Sequence, residues 1–327
     1  MSKTTVGIDI SKAKLDVALY QDNSYRLASF ANEREGYRRL VKWLKKQKAT
    51  GCLVCIEATG RYGEAVAIFL HEHGYPVSVV NPARIKAYGA SQLKRNKTDQ
   101  EDAKVIAHFC ATQTPGLWAP PPPQIQELQA LTRRLEMLKA ERTRELNRQQ
   151  SGIQSKTVLA DIRAHIRFLD RQIATIEQHI QDLIDRHPDL RKQYDLLTSI
   201  PGIGNTTAAN FIAEVPDITR FHSANQLAAY AGLTPRRHES GSSIHRRGRL
   251  VKTGNKRFRT AFFLPALVAL RFNPIVQALA QRLEANGKNR MTIVGAAMRK
   301  LLHLAYGVLK TGKPFDPDYF VNVQIAA

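Results

Sequence analysis

Apolar and polar residues alternate with a period of two in three successive stretches near the start of the chain, residues 4–9, 14–20 and 25–30, separated by the turn residues "SKA" and "QDN". Side chains of a strand point alternately to its two faces, so this spacing predicts three consecutive strands. The period then changes. "EGYRRLVKWLKKQ" (35–47) repeats every three to four residues and predicts a helix, and "CLVCIEA" (52–58) predicts a buried strand. "RYGEAVAIFLHEHG" (61–74) predicts a helix stopped at Gly74, and "PVSVVN" (76–81) a further strand. "KTDQEDAKVIAHFCATQ" (97–113) predicts a helix capped at its start by Thr98.

Three strands followed by helix–strand alternation is the order of a ribonuclease H-like α/β domain, expected over residues 1–114. "TPGLWAPPPPQ" (114–124) contains four consecutive prolines, which neither a helix nor a central strand accepts, so 115–124 is expected to be a stiff linker. Beyond it, Ile125, Leu128, Leu131, Leu135 and Leu138 form one stripe. Ile162, Ile166, Leu169, Ile173, Ile176, Ile180 and Leu183 follow at alternating steps of four and three, the seam of a coiled coil. Residues 125–187 are therefore expected to be a helical coiled-coil region, folded back as a hairpin or paired between chains. A third, mostly helical domain is expected over 188–327. Its "LLTSIPGIGNTTAANFIAEV" (196–215) places Pro-Gly-Ile-Gly between two helical runs, the pattern of a helix-hairpin-helix.

Composition changes the picture of partners. The chain has 327 residues, 49 Lys and Arg against 28 Asp and Glu, and a net charge of +21, which draws polyanions and makes nucleic acid the leading partner. "MSKTTVGIDI" lacks a signal peptide's apolar core, and "TAFFLPALVAL" (260–270) is too short for a membrane span and holds Pro265, so a cytoplasmic protein with no membrane partner is expected. Cys52, Cys55 and Cys110 are odd in number and have no second Cys or His pair at zinc spacing, so they read as small core residues.

The positive charge is concentrated. Between 236 and 259 there are nine Lys or Arg against one acid, Glu239, in a Gly- and Ser-containing stretch that reads as a nucleic-acid-facing loop. Its candidate contacts are Arg236, Arg237, Arg246, Arg247, Arg249, Lys252, Lys256 and Arg257. Gly202 and Gly204 join them, because glycines before the second helix of the hairpin let backbone N–H groups approach a phosphate.

Four acids run against this background. Asp9 ends the first strand and Glu57 ends the strand "CLVCIEA", each where an apolar residue would be cheaper. Asp99 and Asp102 lie three apart at the start of a helix, on one face. Carboxylates converging from three elements repel one another unless divalent cations sit among them, and hard oxygen donors select Mg²⁺ or Mn²⁺. A pair of such ions can stabilise the attacking and leaving oxygens of a phosphodiester exchange.

"GIDISKAKLDVAL", "CIEATGRYGEAVAIFL", "VSVVNPARIKAYGAS", "KRNKTDQEDAKVIAHF", "SIPGIGNTTAA", "LAAYAGLTPRRHESGSS" and "MRKLLHLAYGVLKTGKPFDP" together resemble the DEDD-type transposases of the insertion-sequence one-ten family, almost end to end. The resemblance implies a RuvC-like nuclease domain, a coiled-coil insertion and a C-terminal transposase domain, with the acidic tetrad on Asp9, Glu57, Asp99 and Asp102. It also implies a serine nucleophile at the position of Ser240. By residue type alone Ser240, Ser242 and Ser243 are equal candidates. Further implications are donor and target DNA as substrates and a structured noncoding guide RNA. A dimer or tetramer is also implied, in which one chain's acids work with another's serine.

Other functions predict other features. A sugar kinase or ATPase of the same core would need a second such domain where 125–187 reads as a helical seam. A nonenzymatic nucleic-acid scaffold would not need four converging acids. A junction nuclease without a covalent step would keep the acids and dispense with Ser240.

Overall fold

The computed structural model describes residues 4–58, 60–92, 98–236, 239–240, 244–245, 249–251 and 253–318. It divides into two compact units, Met1–Pro120 and Pro121–Ala327.

The first unit is a mixed sheet with helices on both faces. Strands β1 (Thr5–Ile10), β2 (Lys14–Gln21) and β3 (Ser24–Ala31) are followed by helix α1 (Arg34–Lys46) and strand β4 (Leu53–Glu57). Helix α2 (Glu64–Glu72), strand β5 (Val77–Val80), helix α3 (Pro82–Ser91) and helix α4 (Asp99–Gln113) complete it. The sheet order is β3-β2-β1-β4-β5; β1, β2 and β3 are antiparallel neighbours, while β4 pairs parallel to β1 and β5 parallel to β4. Parallel neighbours need crossovers, and α1 and α2 supply material for them.

Alternation divides the side chains of β1 between two faces. Val6, Ile8 and Ile10 enter a core with Leu15, Val17 and Leu19 of β2 and with α1 and α2. Thr5, Gly7 and Asp9 face α4 instead. A Cβ on Gly7 would lie 2.2 Å from the Ala107 backbone nitrogen and 2.4 Å from the Ala103 carbonyl oxygen, so only glycine lets α4 come this close. The Thr5 hydroxyl, donating to the Ala107 carbonyl at 2.9 Å, fixes the same approach. Thr98 caps α4 as expected, its side chain accepting from the Glu101 N–H at 3.3 Å.

Two features of this unit differ from the sequence expectation. Residues 82–91 form α3, to which the periodicity assigns no element; Asn81 caps it by accepting from the Ala83 N–H at 2.8 Å, with Pro82 in its first turn. The start of the proline-rich stretch is tied to the sheet edge: Trp118 N–H donates to the Val77 carbonyl at 2.7 Å and the Ser78 hydroxyl to the Gly116 carbonyl at 2.8 Å. The three cysteines are buried and unbridged.

The second unit begins with the long helices α5 (Pro123–Gln149) and α6 (Lys156–Arg186). They pack against each other within the chain, the hairpin arrangement. Ile125, Leu128, Leu135 and Leu138 of α5 share one core with Leu169, Ile173, Ile180 and Leu183 of α6. Lys139–Glu177, at 2.7 Å, and Arg142–Asp170 pair across the two helices. Helices α7 (Pro188–Thr198), α8 (Asn205–Glu214) and α9 (Ala224–Tyr230) follow. Next come four two-residue strands, β6 (Pro235–Arg236), β7 (Glu239–Ser240), β8 (Ile244–His245) and β9 (Arg249–Leu250). Helices α10 (Lys256–Ala261), α11 (Phe263–Phe272), α12 (Pro274–Ala285) and α13 (Arg290–Thr311) complete the unit. The core of α5 and α6 is continuous with that of α7, α8, α11 and α13, so the helical hairpin belongs to the same body as the rest of this unit. Among the described residues, no single helix is long and apolar enough to cross a membrane.

Candidate active site

The four acids singled out from the sequence lie in the first unit, on the side of the sheet that α4 covers. Asp9 stands near the end of β1 two residues beyond Gly7. Glu57, the last residue of β4, stands two residues beyond Cys55, the partner of Gly7 across the parallel pair. Asp9 and Glu57 are thus level, one step past the paired Ile8 and Ile56, on strands about 4.8 Å apart. Asp99 and Asp102 sit in the first turn of α4, where the helix dipole favours negative charge. Ala103, which follows Asp102, packs over Gly7, and this contact sets the first turn of α4 beside Asp9.

Asp9 registers the crowding. Its carboxyl is held above the usual 3.8, first by burial, then by the charges of Asp102 and Asp99, with Asp16 adding to them; a backbone hydrogen bond at Ile10 opposes the shift. Among the described residues, no three His, Cys, Asp or Glu side chains form a ready metal cage. The four acids share a face, and Asp9 shares a field with Asp99 and Asp102; all offer oxygen donors of the kind that Mg²⁺ or Mn²⁺ takes.

The sign of the Asp9 shift gives a stability prediction. A raised folded-state pKa means that the folded chain binds the proton more tightly than the unfolded one. The associated stability is therefore present below pH 3.8 and lost as pH rises through the folded value. In chelator-treated protein at pH 7, Asp9→Asn is expected to raise the melting temperature, and the gain to shrink as pH falls through the carboxylate range. A lower melting temperature for the variant at pH 7 would contradict this account of Asp9.

Sequence reasoning missed Asp16. It is 2% exposed and lies directly opposite Asp9 in the antiparallel pairing of β1 with β2. Its Oδ1 accepts from the Ser29 hydroxyl at 2.6 Å and pairs with the Lys14 ammonium at 2.8 Å. That hydrogen bond raises the Lys14 pKa, with desolvation opposing and the charges of Asp16, Asp99 and Asp9 contributing in the same direction. The available signal was the "KLD" spacing: residues 14 and 16 of a strand share a face, and Asp16 belongs to the strand that follows Asp9 through a short turn.

The remaining candidates lie in the second unit. Gly202 has φ +106°, and a Cβ there would meet the Ala269 side chain at 2.8 Å, so this glycine serves the packing of the α7–α8 turn on α11. Gly204 is exposed, caps α8 and has open space where a Cβ would be. Arg257 is committed inside the unit: its guanidinium pairs with Glu136 of α5 at 2.7 Å and lies 3.7 Å from Glu214 of α8. Lys256 is exposed at the start of α10. Arg236 pairs with Arg249 in the backbone ladder of β6 and β9, and Ser240 with Ile244 in that of β7 and β8. Arg237, Ser242, Ser243, Arg246, Arg247 and Lys252 lie outside the described residues.

Comparison with known proteins assigns the chain. Residues 6–156 match the DEDD family profile described as "Transposase", and residues 194–281 match "Transposase IS116/IS110/IS902 family". The "Pilin gene-inverting protein" of Moraxella bovis is 37% identical over 320 residues, covering 97% of this chain and 98% of that protein. The "Transposase for insertion sequence element IS1111A" of Coxiella burnetii is 26% identical over 297 residues, covering 81% of this chain and 78% of that protein. Among solved structures, Thermus thermophilus RuvC in complex with a Holliday junction substrate matches 34% of this chain and 96% of its own, at 17% identity and a TM-score of 0.27, too loose a likeness to argue from. An identity of 37% along nearly the whole length of both chains, with two family profiles in the same order, makes this protein a member of the IS110-type DEDD transposase family, a DNA transposase or recombinase.

Proposed function

We propose that the chain cuts and rejoins DNA strands with two sets of residues: Asp9, Glu57, Asp99 and Asp102, which hold Mg²⁺ or Mn²⁺, and Ser240, which carries the cut strand as a phosphoserine. The observation that carries the reading is the placement of four acids on one face of the sheet, Asp9 and Glu57 level on neighbouring parallel strands and Asp99 and Asp102 in the first turn of α4, with Asp9 buried and repelled by Asp102 and Asp99. Such crowding costs a protein stability and is reversed by a divalent cation. The strand order β3-β2-β1-β4-β5 supports a ribonuclease H-like nuclease domain for the first unit. When bound, the cations supply positive charge to the oxygens exchanged at phosphorus.

In the cutting step the Ser240 Oγ forms a bond to phosphorus and the bond from phosphorus to one deoxyribose oxygen breaks. The serine loses its proton and the departing oxygen gains one, leaving a free hydroxyl end. Attack by a DNA hydroxyl end on the phosphoserine reverses these changes, joins the strands and restores the serine, so no water or oxidant is consumed. Arg236, Arg237, Arg246 and Arg247 neutralise charge on the phosphorus centre. Together with Gly204, Arg249, Lys252 and Lys256 they bind the nucleic-acid backbone. Gly202 and Arg257 belong to the same surface by sequence and have structural contacts as well, Gly202 against Ala269 and Arg257 with Glu136.

A structured noncoding RNA that pairs with donor and target DNA supplies sequence choice, and the chain works as a homo-oligomer, a dimer or a tetramer. The charge of +21 supports a large polyanionic partner. Sequencing RNA that copurifies with the protein, followed by cleavage assays with and without it, tests this reading. An RNA carrying segments complementary to both DNA partners is expected, and RNA-free protein that cuts the same site equally fast would overturn the guided mechanism.

A further inference from the structure

Strand β2 brings an acid and a base to the carboxylate cluster. Asp16 lies across from Asp9, and its side chain is only 4% exposed. The next residue on the same face of β2 is the small apolar Ala18, which packs with Ala103 and Ala107 of α4. An apolar residue would fit position 16 at lower cost, because a carboxylate here is desolvated and repelled by Asp9. What Asp16 gains is two partners, the Ser29 hydroxyl at 2.6 Å and the Lys14 ammonium at 2.8 Å.

Among the described residues, the ion-pair partner of Lys14 is Asp16. Residues 14 and 16 leave β2 on the same face, the one that carries Asp9, and the Lys14 side chain remains 48% exposed. Besides Asp16, the ammonium interacts with the charges of Asp99 and Asp9. An ammonium has three donors, and the hydrogen bond to Asp16 uses one of them. A phosphate approaching a group of acids meets repulsion, which a cation already fixed at their rim offsets without further loss of side-chain freedom.

We propose that Asp16 is a positioning residue that holds the Lys14 ammonium at the edge of the acid cluster, where it binds the phosphate of the strand being cut. This role rests on the four acids being the strand-cutting site, as proposed above.

The test uses the full chain with its nucleic-acid partners and two readouts. Mn²⁺ binding is followed by loss of the free-ion electron paramagnetic resonance signal, and cutting by single-turnover rates at saturating Mn²⁺. Lys14→Met is expected to bind Mn²⁺ at the same or lower concentration, since a competing positive charge is gone, yet to cut at least about tenfold more slowly. Lys14→Arg should recover part of the rate. Asp16→Asn should lose a similar factor, with no further loss when combined with Lys14→Met. Should Asp16→Asn fail to fold by circular dichroism, the half-exposed Lys14 variants decide alone. Lys14→Met cutting within about twofold of the parent overturns the inference, as does a loss that additional Mn²⁺ restores. Cutting at the parental rate by Asp9→Asn would instead remove the acid-cluster reading beneath it.

Discussion

Replacing Asp9 by Asn is expected to leave DNA and RNA binding within about twofold of the parent while strand cutting falls by about 10³-fold or more. The two effects separate because they arise from different residues. Affinity for a polyanion comes mainly from Lys and Arg contacts to phosphates, which supply the salt-dependent part of binding. Asp9 adds nothing favourable to that term; as an anion it opposes it. It shares a field with Asp99 and Asp102 on one face of the sheet, level with Glu57, and if these acids hold a divalent cation, as proposed, removal of one carboxylate would deprive it of a charged donor. Filter binding or mobility shift measures the first quantity and a denaturing gel the second. Parental cutting by Asp9→Asn in Mg²⁺ would take Asp9 out of the site, whereas equal loss of binding and cutting would point to a folding defect. The melting curve distinguishes that case, because Asp9→Asn is expected to stabilise the metal-free protein.

Replacing Ser240 by Ala is expected to abolish the covalent protein–DNA species. A hydroxyl is a weak nucleophile until a base or cation favours its alkoxide, and alanine has no oxygen to form the phosphoester. Ser242→Ala and Ser243→Ala should retain an adduct, because neither serine carries the cut strand in this account. The adduct should survive denaturant and disappear with protease. Mass mapping of the linked peptide to Ser242 or Ser243 would move the nucleophile and leave the rest of the chemistry intact. Ser240→Ala should keep its affinity for DNA, since the surrounding arginines remain.

Much of the first unit was legible in the sequence because alternation, turn residues and caps are local signals. Asp9 and Glu57 stood out as acids closing β-branched or apolar strands, and Thr98 marked the helix that presents Asp99 and Asp102. Asp16 was hidden by the same rule. In "KLDVAL" Leu15, Val17 and Leu19 form one apolar face, so Lys14, Asp16 and Ala18 read as a solvent face. In the fold α4 covers that face, and the small Gly7 and Ala18 are what allow it to come so close. Helix α3 carried a readable start in Asn81 and Pro82, but its single buried residue, Ile85, left no apolar period to follow. In the second unit, long-range pairing adds contacts that a local reading does not show. Arg257 belongs by sequence to a basic run, and its acids, Glu136 and Glu214, are 121 and 43 residues away in the chain. Gly202 reads as a phosphate-loop glycine, and its close approach to Ala269 of α11 is a second demand that the local sequence does not show.

The central claim is that one reaction uses both the carboxylates of the first unit and the serine of the second. End-labelled DNA incubated with protein, guide RNA and Mn²⁺, then run on a denaturing gel with and without protease, tests it most directly. The account predicts a protease-sensitive adduct for the parent, and none with chelator, with Asp9→Asn or with Ser240→Ala. An adduct that persists with chelator or in Asp9→Asn would contradict it, as would cut DNA that carries no protein at all.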